Sequence, residues 1–363
     1  MTHILIIGGY GNFGRYIAET LCQEKNLKIT IAGRSHEKAQ ECANELGCEY
    51  AVLDVFDGFD NSLSDLNPTI VIHTSGPFQG QGYDVAQSCL DFGCHYIDLA
   101  DGREFVCGID ALNDRAQESG VSIIAGASSV PCLSSAVVDH YKDQFETLTN
   151  LEYGIATAQQ TNRGLATTNA ILSYVGKPFT TLIDGEMRNI YGWHDAHLHD
   201  YPKLGKRPLG NCDIPDLALF PKAYPDLKNI RFYAGTELYF QHFGLWMMSW
   251  LVKWGFVKSL QPLGKILVKI ANMFDWLGSS NSAFHMKMSG VNKDGAAISK
   301  TFYLTAKDGH GPYIPCMPAI LLAKKLASGD FKKKGAFSSM RLVSFTEYMA
   351  ALSSLNIHWE LKE

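Results

Sequence analysis

The feature that most limits how this chain can fold is the glycine cluster that follows its first apolar run. Ile4–Ile7 opens directly into Gly8-Gly9-Tyr10-Gly11-Asn12-Phe13-Gly14. A short apolar run bounded by glycine reads as a strand buried on both faces. Gly9, Gly11 and Gly14 then fit the spacing Gly-x-Gly-x-x-Gly, and Arg15–Glu24 follows with helical character. In such a strand–turn–helix one glycine allows the tight turn and the next lets backbone approach a pyrophosphate. The third lets helix and strand pack closely. The helix opening there aims its free N–H groups and the positive end of its dipole at the phosphates. The loop from Gly9 through Tyr10, Gly11, Asn12 and Phe13 to Gly14 is therefore expected to hold a dinucleotide.

Similar apolar runs recur at Lys28–Ala32, Glu49–Leu53, Thr69–Thr74, Cys94–Asp98 and Val121–Ala125. Between them, His36–Leu46, Tyr83–Phe92, Ile109–Glu118 and Leu133–Tyr141 have helical character, while Phe59–Leu66 is left unassigned. Parallel neighbours need a crossover of about a dozen residues, so the alternation predicts an α/β, doubly wound parallel sheet. The end of the second strand addresses which dinucleotide it holds. An NAD site usually carries Asp or Glu about 20 residues past the glycines, on the ribose 2′-hydroxyl. Here the stretch is Ile31-Ala32-Gly33-Arg34-Ser35. Arg34 offers a planar, permanently charged fork for a 2′-phosphate and Ser35 a hydroxyl donor, which favours NADP. Asp54 has two readings, an acceptor for the adenine amino group or a solvated turn residue.

Composition excludes several classes. With 46% hydrophobic and 19% charged residues the chain is neither disordered nor fibrous. Its 32 basic and 37 acidic residues leave a net charge of −5, against a dedicated nucleic-acid binder. The nine dispersed cysteines lack metal spacing and read as reduced thiols. No basic leader with a cleavage site and no long uncharged apolar run occurs. A cytoplasmic location is the expectation, with no metal site.

After the fourth run comes Thr74-Ser75-Gly76-Pro77-Phe78, and at the fifth Tyr96-Ile97-Asp98-Leu99-Ala100. Together with the glycine loop and Ala32-Gly33-Arg34-Ser35, these resemble the saccharopine dehydrogenase-like family of oxidoreductases with an NADP-binding Rossmann domain. The resemblance assigns Thr74, Ser75, Gly76 and Pro77 to the nicotinamide half of the cofactor and Leu53, Asp54 and Val55 to the adenine end. Gly126–Ser134 is similar to the family's loop after strand six, with Cys132 standing where glycine is usual. Cys132 itself reads as a packed thiol rather than a nucleophile. Asn162–Thr168, Ser289–Gly295 and Gly311–Pro315 resemble the uncharacterised bacterial and animal branches more than the lysine-pathway enzyme.

The second half has another texture. Phe179–Ile183 and Glu186–Ile190 flank Asp184-Gly185, a strong hairpin signal. Phe284–Ser289 and Ala297–Thr305 flank a second turn, and Ile230–Tyr233 is a further strand candidate. Mainly antiparallel strands predict an α+β domain for substrate binding or dimerisation. Helices are expected at Pro318–Ala327 and Thr346–Leu352. The resemblance implies that they complete the nucleotide domain. That gives a first domain of 1–145 with 312–363 and an inserted domain of 146–311.

Within the inserted domain, 243–277 is apolar and helical, with Trp246, Trp250 and Trp254 on one face. Three readings stand: a subunit or domain interface in a homodimer, a lid over an apolar tunnel, or a peripheral membrane contact. His194, His197 and His199 read as solvated loop residues. The resemblance implies hydride transfer between NADP(H) and a small-molecule substrate across a C=N bond. Relatives that resemble enoyl reductases on lipid chains keep a C=C substrate open. A cofactor-binding sensor or scaffold without turnover is the alternative class. Asp98, Asp101, Arg103 and Arg163 are polar candidates for the substrate crevice, and no catalytic residue is assigned.

Overall fold

The first apolar runs become strands because each is bounded by residues that release the chain from extended geometry. They are β1 (Thr2–Ile7), β2 (Leu27–Gly33), β3 (Glu49–Val52), β4 (Ile70–His73), β5 (His95–Asp98) and β6 (Ser122–Ala125). All pair in parallel, in the order β6-β5-β4-β1-β2-β3. Ile4, Leu5, Ile6 and Ile7 in β1 are buried, as the strand at the centre of a sheet covered on both faces requires. The computed structural model describes residues 1–162 and 164–363, so the candidate Arg163 lies outside the described residues. Helices join the strands at Asn12–Cys22, His36–Leu46, Asp84–Asp91 and Asn113–Glu118. The unassigned linker Phe59–Leu66 is also a helix, with left-handed Gly58 and Asn67 at its two ends and Phe59 and Leu63 buried.

Two compact units share the chain: 1–136 with 313–348, and 137–312 with 349–363. The second unit brings β7 (Thr147–Ala156), β8 (Pro178–Ile183), β9 (Glu186–Tyr191), β10 (His197–Tyr201), β11 (Gly205–Asn211), β12 (Asn229–Gly235), β13 (Ser282–Val291) and β14 (Ala297–Ala306). The hairpin β8–β9 turns through Asp184 and Gly185, both at positive φ, as the Asp-Gly signal demands. The β13–β14 hairpin is likewise present and longer than its sequence signal. Among these strands only β7 and β12 pair in parallel; the rest are antiparallel.

Two later strands were not apparent in the sequence. The strand β15 (Gly335–Ser338) pairs with β6 and makes the first sheet seven-stranded. The last, β16 (Ile357–Lys362), pairs with β14 and belongs to the second sheet, ordered β10-β11-β12-β7-β13-β14-β16. The expectation that 312–363 completes the first domain is thus corrected at residue 349, and the first boundary falls at 136 rather than 145. The two expected helices form at Met317–Ser328 and Phe345–Leu352.

The histidine-rich stretch also departs from expectation. His197 and His199 lie on strand β10, and His194 is buried with its ring 4.2 Å from Trp250. His199 stacks on the buried His285 at 3.7 Å, and the His285 Nδ1 lies 2.8 Å from the Tyr201 hydroxyl. Packing, not solvation, governs His194 and His199. Among the described residues no group of three or more His, Cys, Asp or Glu side chains converges to hold a metal.

Between β12 and β13 the chain makes an excursion through helices Tyr239–Lys253 and Gly264–Asn272. Val252 and Leu260 join Leu172, Val175 and Trp193 in a buried cluster against which Trp246 and Leu267 pack. Both ends of the excursion meet at Glu237. Its carboxylate accepts the N–H groups of Gln159 and Ser279 at 2.8 and 2.9 Å and pairs with Arg207 at 2.7 Å. No described helix is long and apolar enough to cross a membrane.

Candidate dinucleotide site

Every element of the candidate site lies at the carboxyl ends of the first sheet. From β1 the chain winds outward through β2 and β3 on one side, and through β4, β5 and β6 on the other. The crevice between β1 and β4 is the topological switch point, where open α/β sheets bind ligands.

The glycine loop is built as the spacing implies, with one shift of role. The left-handed turn falls on Gly8 (φ +78°), one residue before the triplet, and its N–H bonds to Ala32 O at 2.8 Å. A Cβ on Gly14 would sit 2.2 Å from the Gly8 carbonyl oxygen, so helix and turn touch only because both residues lack side chains. A Cβ on Gly11 would meet only Gly8 O, at 3.1 Å, and otherwise open space. Gly11 is the N-cap of helix Asn12–Cys22, which has no side-chain cap and no acid in its first turn. Those three properties suit a phosphate.

Beside this loop stand Thr74 and Ser75. Thr74 Oγ1 donates to Ile7 O at 2.8 Å, and both hydroxyls would lie within 2.7 Å of a Cβ on Gly8. Gln81 Nε2 donates to the carbonyls of Pro77 (2.6 Å) and Ser75 (3.3 Å), fixing the Thr74–Pro77 turn. Fold geometry therefore brings the loops after β1 and β4 together.

The other flank of the candidate site is built around Tyr10. Its hydroxyl accepts the Ser35 N–H at 3.1 Å, and its ring occupies the place a Cβ on Gly33 would need. Ser35 is also the N-cap of helix His36–Leu46, its hydroxyl accepting from Lys38 N at 3.4 Å. Arg34 is exposed at the end of β2. Leu53 N–H donates to Gly33 O at 3.2 Å, which carries Leu53, Asp54 and Val55 to the same edge. One Asp54 oxygen accepts the Phe56 N–H at 3.1 Å, the turn role weighed for it from sequence.

Two polar candidates behave differently. Asp98 is fully buried: its Oδ1 accepts the N–H groups of Gly126 (2.7 Å) and Ala100 (2.9 Å). It does not open to solvent, so it ties together the turns after β5 and β6 instead of reaching a crevice. Burial raises its carboxyl to about 7 in spite of those bonds and of the Tyr96 hydroxyl. The Tyr96 hydroxyl also lies 3.1 Å from Nδ1 of buried His73, which desolvation lowers to about 4. Asp101 accepts from Gln79 Nε2 at 3.0 Å, and burial raises it as well. Asp98 was singled out in the sequence, but its link through Tyr96 to His73 carried no signal, because His73 sits inside an apolar run. Cys132 is fully buried, in keeping with a packed thiol.

A sequence model described as the saccharopine dehydrogenase NADP binding domain matches residues 4–124, the segment that carries this geometry. The match covers about a third of the chain, and over that segment the chain is similar to the saccharopine dehydrogenase NADP-binding domain. A probable mitochondrial saccharopine dehydrogenase-like oxidoreductase of Arabidopsis thaliana is 26% identical over 146 residues, 35% of this chain and 32% of that protein. The human saccharopine dehydrogenase-like oxidoreductase is 25% identical over 150 residues, 36% of this chain and 35% of that protein. The match thus spans about a third of the length of these relatives. At the level of fold the likeness runs further. Apo saccharopine dehydrogenase (L-Glu forming) from Saccharomyces cerevisiae superposes over all of both chains with a TM-score of 0.70 at 13% identity. Homospermidine synthase from Legionella pneumophila, solved with NAD, covers 99% of this chain and 91% of its own, with a TM-score of 0.60 at 11% identity. Residues 4–124 are thus similar to an NADP-binding domain, and the chain also carries a second unit with a mixed sheet.

Proposed function

We propose that this protein is an NADP(H)-dependent oxidoreductase that transfers hydride to or from a C=N or C=C bond of a small-molecule substrate. The observation that carries the cofactor choice is Arg34. It stands exposed at the end of β2, where an NAD site would place a carboxylate, and Lys38 follows in the first turn of the next helix. In this reading Gly9–Gly14 and the uncapped helix hold the pyrophosphate, while Arg34 and the Ser35 hydroxyl take the 2′-phosphate. Leu53, Asp54 and Val55 border the adenine, and Thr74–Pro77 orient the nicotinamide, which when bound supplies or accepts the hydride. The C=N preference draws on the names of the relatives, and the C=C alternative on the resemblance to enoyl reductases.

The deciding experiment compares NADPH with NADH on the purified chain, by calorimetry and by oxidation against imine, keto and enoyl panels. NADPH is expected to bind at least tenfold more tightly, and Arg34→Ala to remove that advantage with little effect on NADH. Equal binding of the two cofactors, unchanged in Arg34→Ala, would sink the 2′-phosphate assignment. Tight NADPH binding with no turnover on any panel would favour a cofactor-sensing scaffold.

A further inference from the structure

We propose that residues 239–277 form a surface that docks on an anionic bilayer leaflet, lying in the headgroup plane without crossing it. Of the 21 large apolar side chains exposed among the described residues, 13 fall in this stretch. On helix Tyr239–Lys253, Phe240, Phe243, Met247, Leu251 and Trp254 recur at steps of three and four, a single stripe. His242, Ser249 and Val252, on the opposite side of that helix, are buried. Ile266, Ile270 and Met273 repeat the pattern on and just after helix Gly264–Asn272. Trp254, Phe256 and Trp276 are 62%, 75% and 76% exposed, more than an ordinary soluble surface leaves to aromatic rings.

Charge selects the occupant. The stretch contains Lys253, Lys258, Lys265 and Lys269 but one acid, Asp275, which accepts from Gln159 at 3.0 Å. Lys258, Lys265 and Lys269 are exposed, and the last two directly precede Ile266 and Ile270, edging the apolar stripe. The whole chain is net negative, so this basic character is local. A two-fold contact through this face would bring the same lysine-bearing surface from both copies together, with only Asp275 from each to offset four lysines. Anionic headgroups neutralise them, while lysine stems lie along apolar surface and aromatic rings sit at the headgroup level.

Flotation of the full chain tests this, using phosphatidylcholine vesicles with and without phosphatidylserine. The chain is expected to float with the mixed vesicles, to remain behind with phosphatidylcholine alone, and to be released by high salt. Substituting Lys258→Glu, Lys265→Glu and Lys269→Glu together should weaken binding by at least roughly fivefold per lysine. Trp254→Ser with Phe256→Ser and Trp276→Ser should abolish it. Both variants change exposed positions, so their melting temperatures should match the parent's. No flotation with the mixed vesicles, or equal flotation with both kinds, overturns the proposal. So does a dimer in sedimentation that the tryptophan variant dissociates, because a second copy would then cover the face.

Discussion

Gly14 and Asp98 show how single positions bind the nucleotide unit together. A side chain at Gly14 would run into backbone, which can move only if the turn opens. Gly14→Ala is therefore expected to lower stability by about 2–4 kcal/mol and to abolish cofactor binding, read by thermal unfolding with and without NADPH. Asp98 is a case of electrostatic strain retained for geometry. Its folded-state value, about 7, lies above the usual carboxylate range, so the fold favours its neutral form. Its contribution is fully favourable in acid and is lost as pH rises toward 7. Asn copies the neutral acid and keeps an oxygen for the Gly126 and Ala100 N–H groups. Asp98→Asn should thus gain about 2–3 kcal/mol relative to the parent between pH 5 and pH 8, measured by urea unfolding at each pH. A constant difference across that range would mean that Asp98 is already ionised in the fold.

At the scale of elements, Glu237 closes the helical excursion. Burial alone would raise its carboxyl, yet the N–H groups of Gln159 and Ser279 and the Arg207 guanidinium hold it below the usual range. Removing it leaves Arg207 buried without its counter-charge. Glu237→Ala is expected to cost about 3–5 kcal/mol, more than Glu237→Gln, and to speed hydrogen exchange across 238–278. The sequence signals explain which elements were legible. The strands β1, β2, β4, β5 and β6 read directly as apolar runs, and β8–β9 was marked by Asp-Gly. By contrast β10 alternates His197, Leu198, His199, Asp200 and Tyr201, and its histidines mimic a solvated loop until His285 is seen to lie against them. The short strands β15 and β16 have too few apolar residues to announce themselves, and the parallel pairing of β7 with β12 has no local signature. In the site, the contiguous motifs were legible, whereas Ser35 as cap and Tyr10 as cover for Gly33 depend on neighbours distant in sequence.

Across the whole molecule, buried and half-buried histidines set the response to acid. Desolvation lowers His73, His95, His199 and His242 to about 4 and His285 further. Each is depressed in the fold, so its contribution is present above the unfolded value near 6.5 and is lost as pH falls toward 4. Five such groups outweigh the opposite trend of Asp98. The melting temperature is expected to fall on the order of 10 °C between pH 7 and pH 5, and His285→Gln should flatten that slope. A flat profile in scanning calorimetry would show that these histidines are protonated without loss of packing.

The path of the chain has a consequence for its synthesis. The polypeptide leaves the first unit at residue 136, returns at 313, and leaves again at 348. Each sheet receives an edge strand from residues 335–362, β15 against β6 and β16 against β14. A ribosome delivering the chain in order can complete neither sheet until residues 335–362 have emerged. Until then the outer edges of β6 and β14 present unpaired backbone to other nascent chains. The segment 335–362 therefore supplies a closing edge strand to both units, and a product that stops before it would expose two open edges at once.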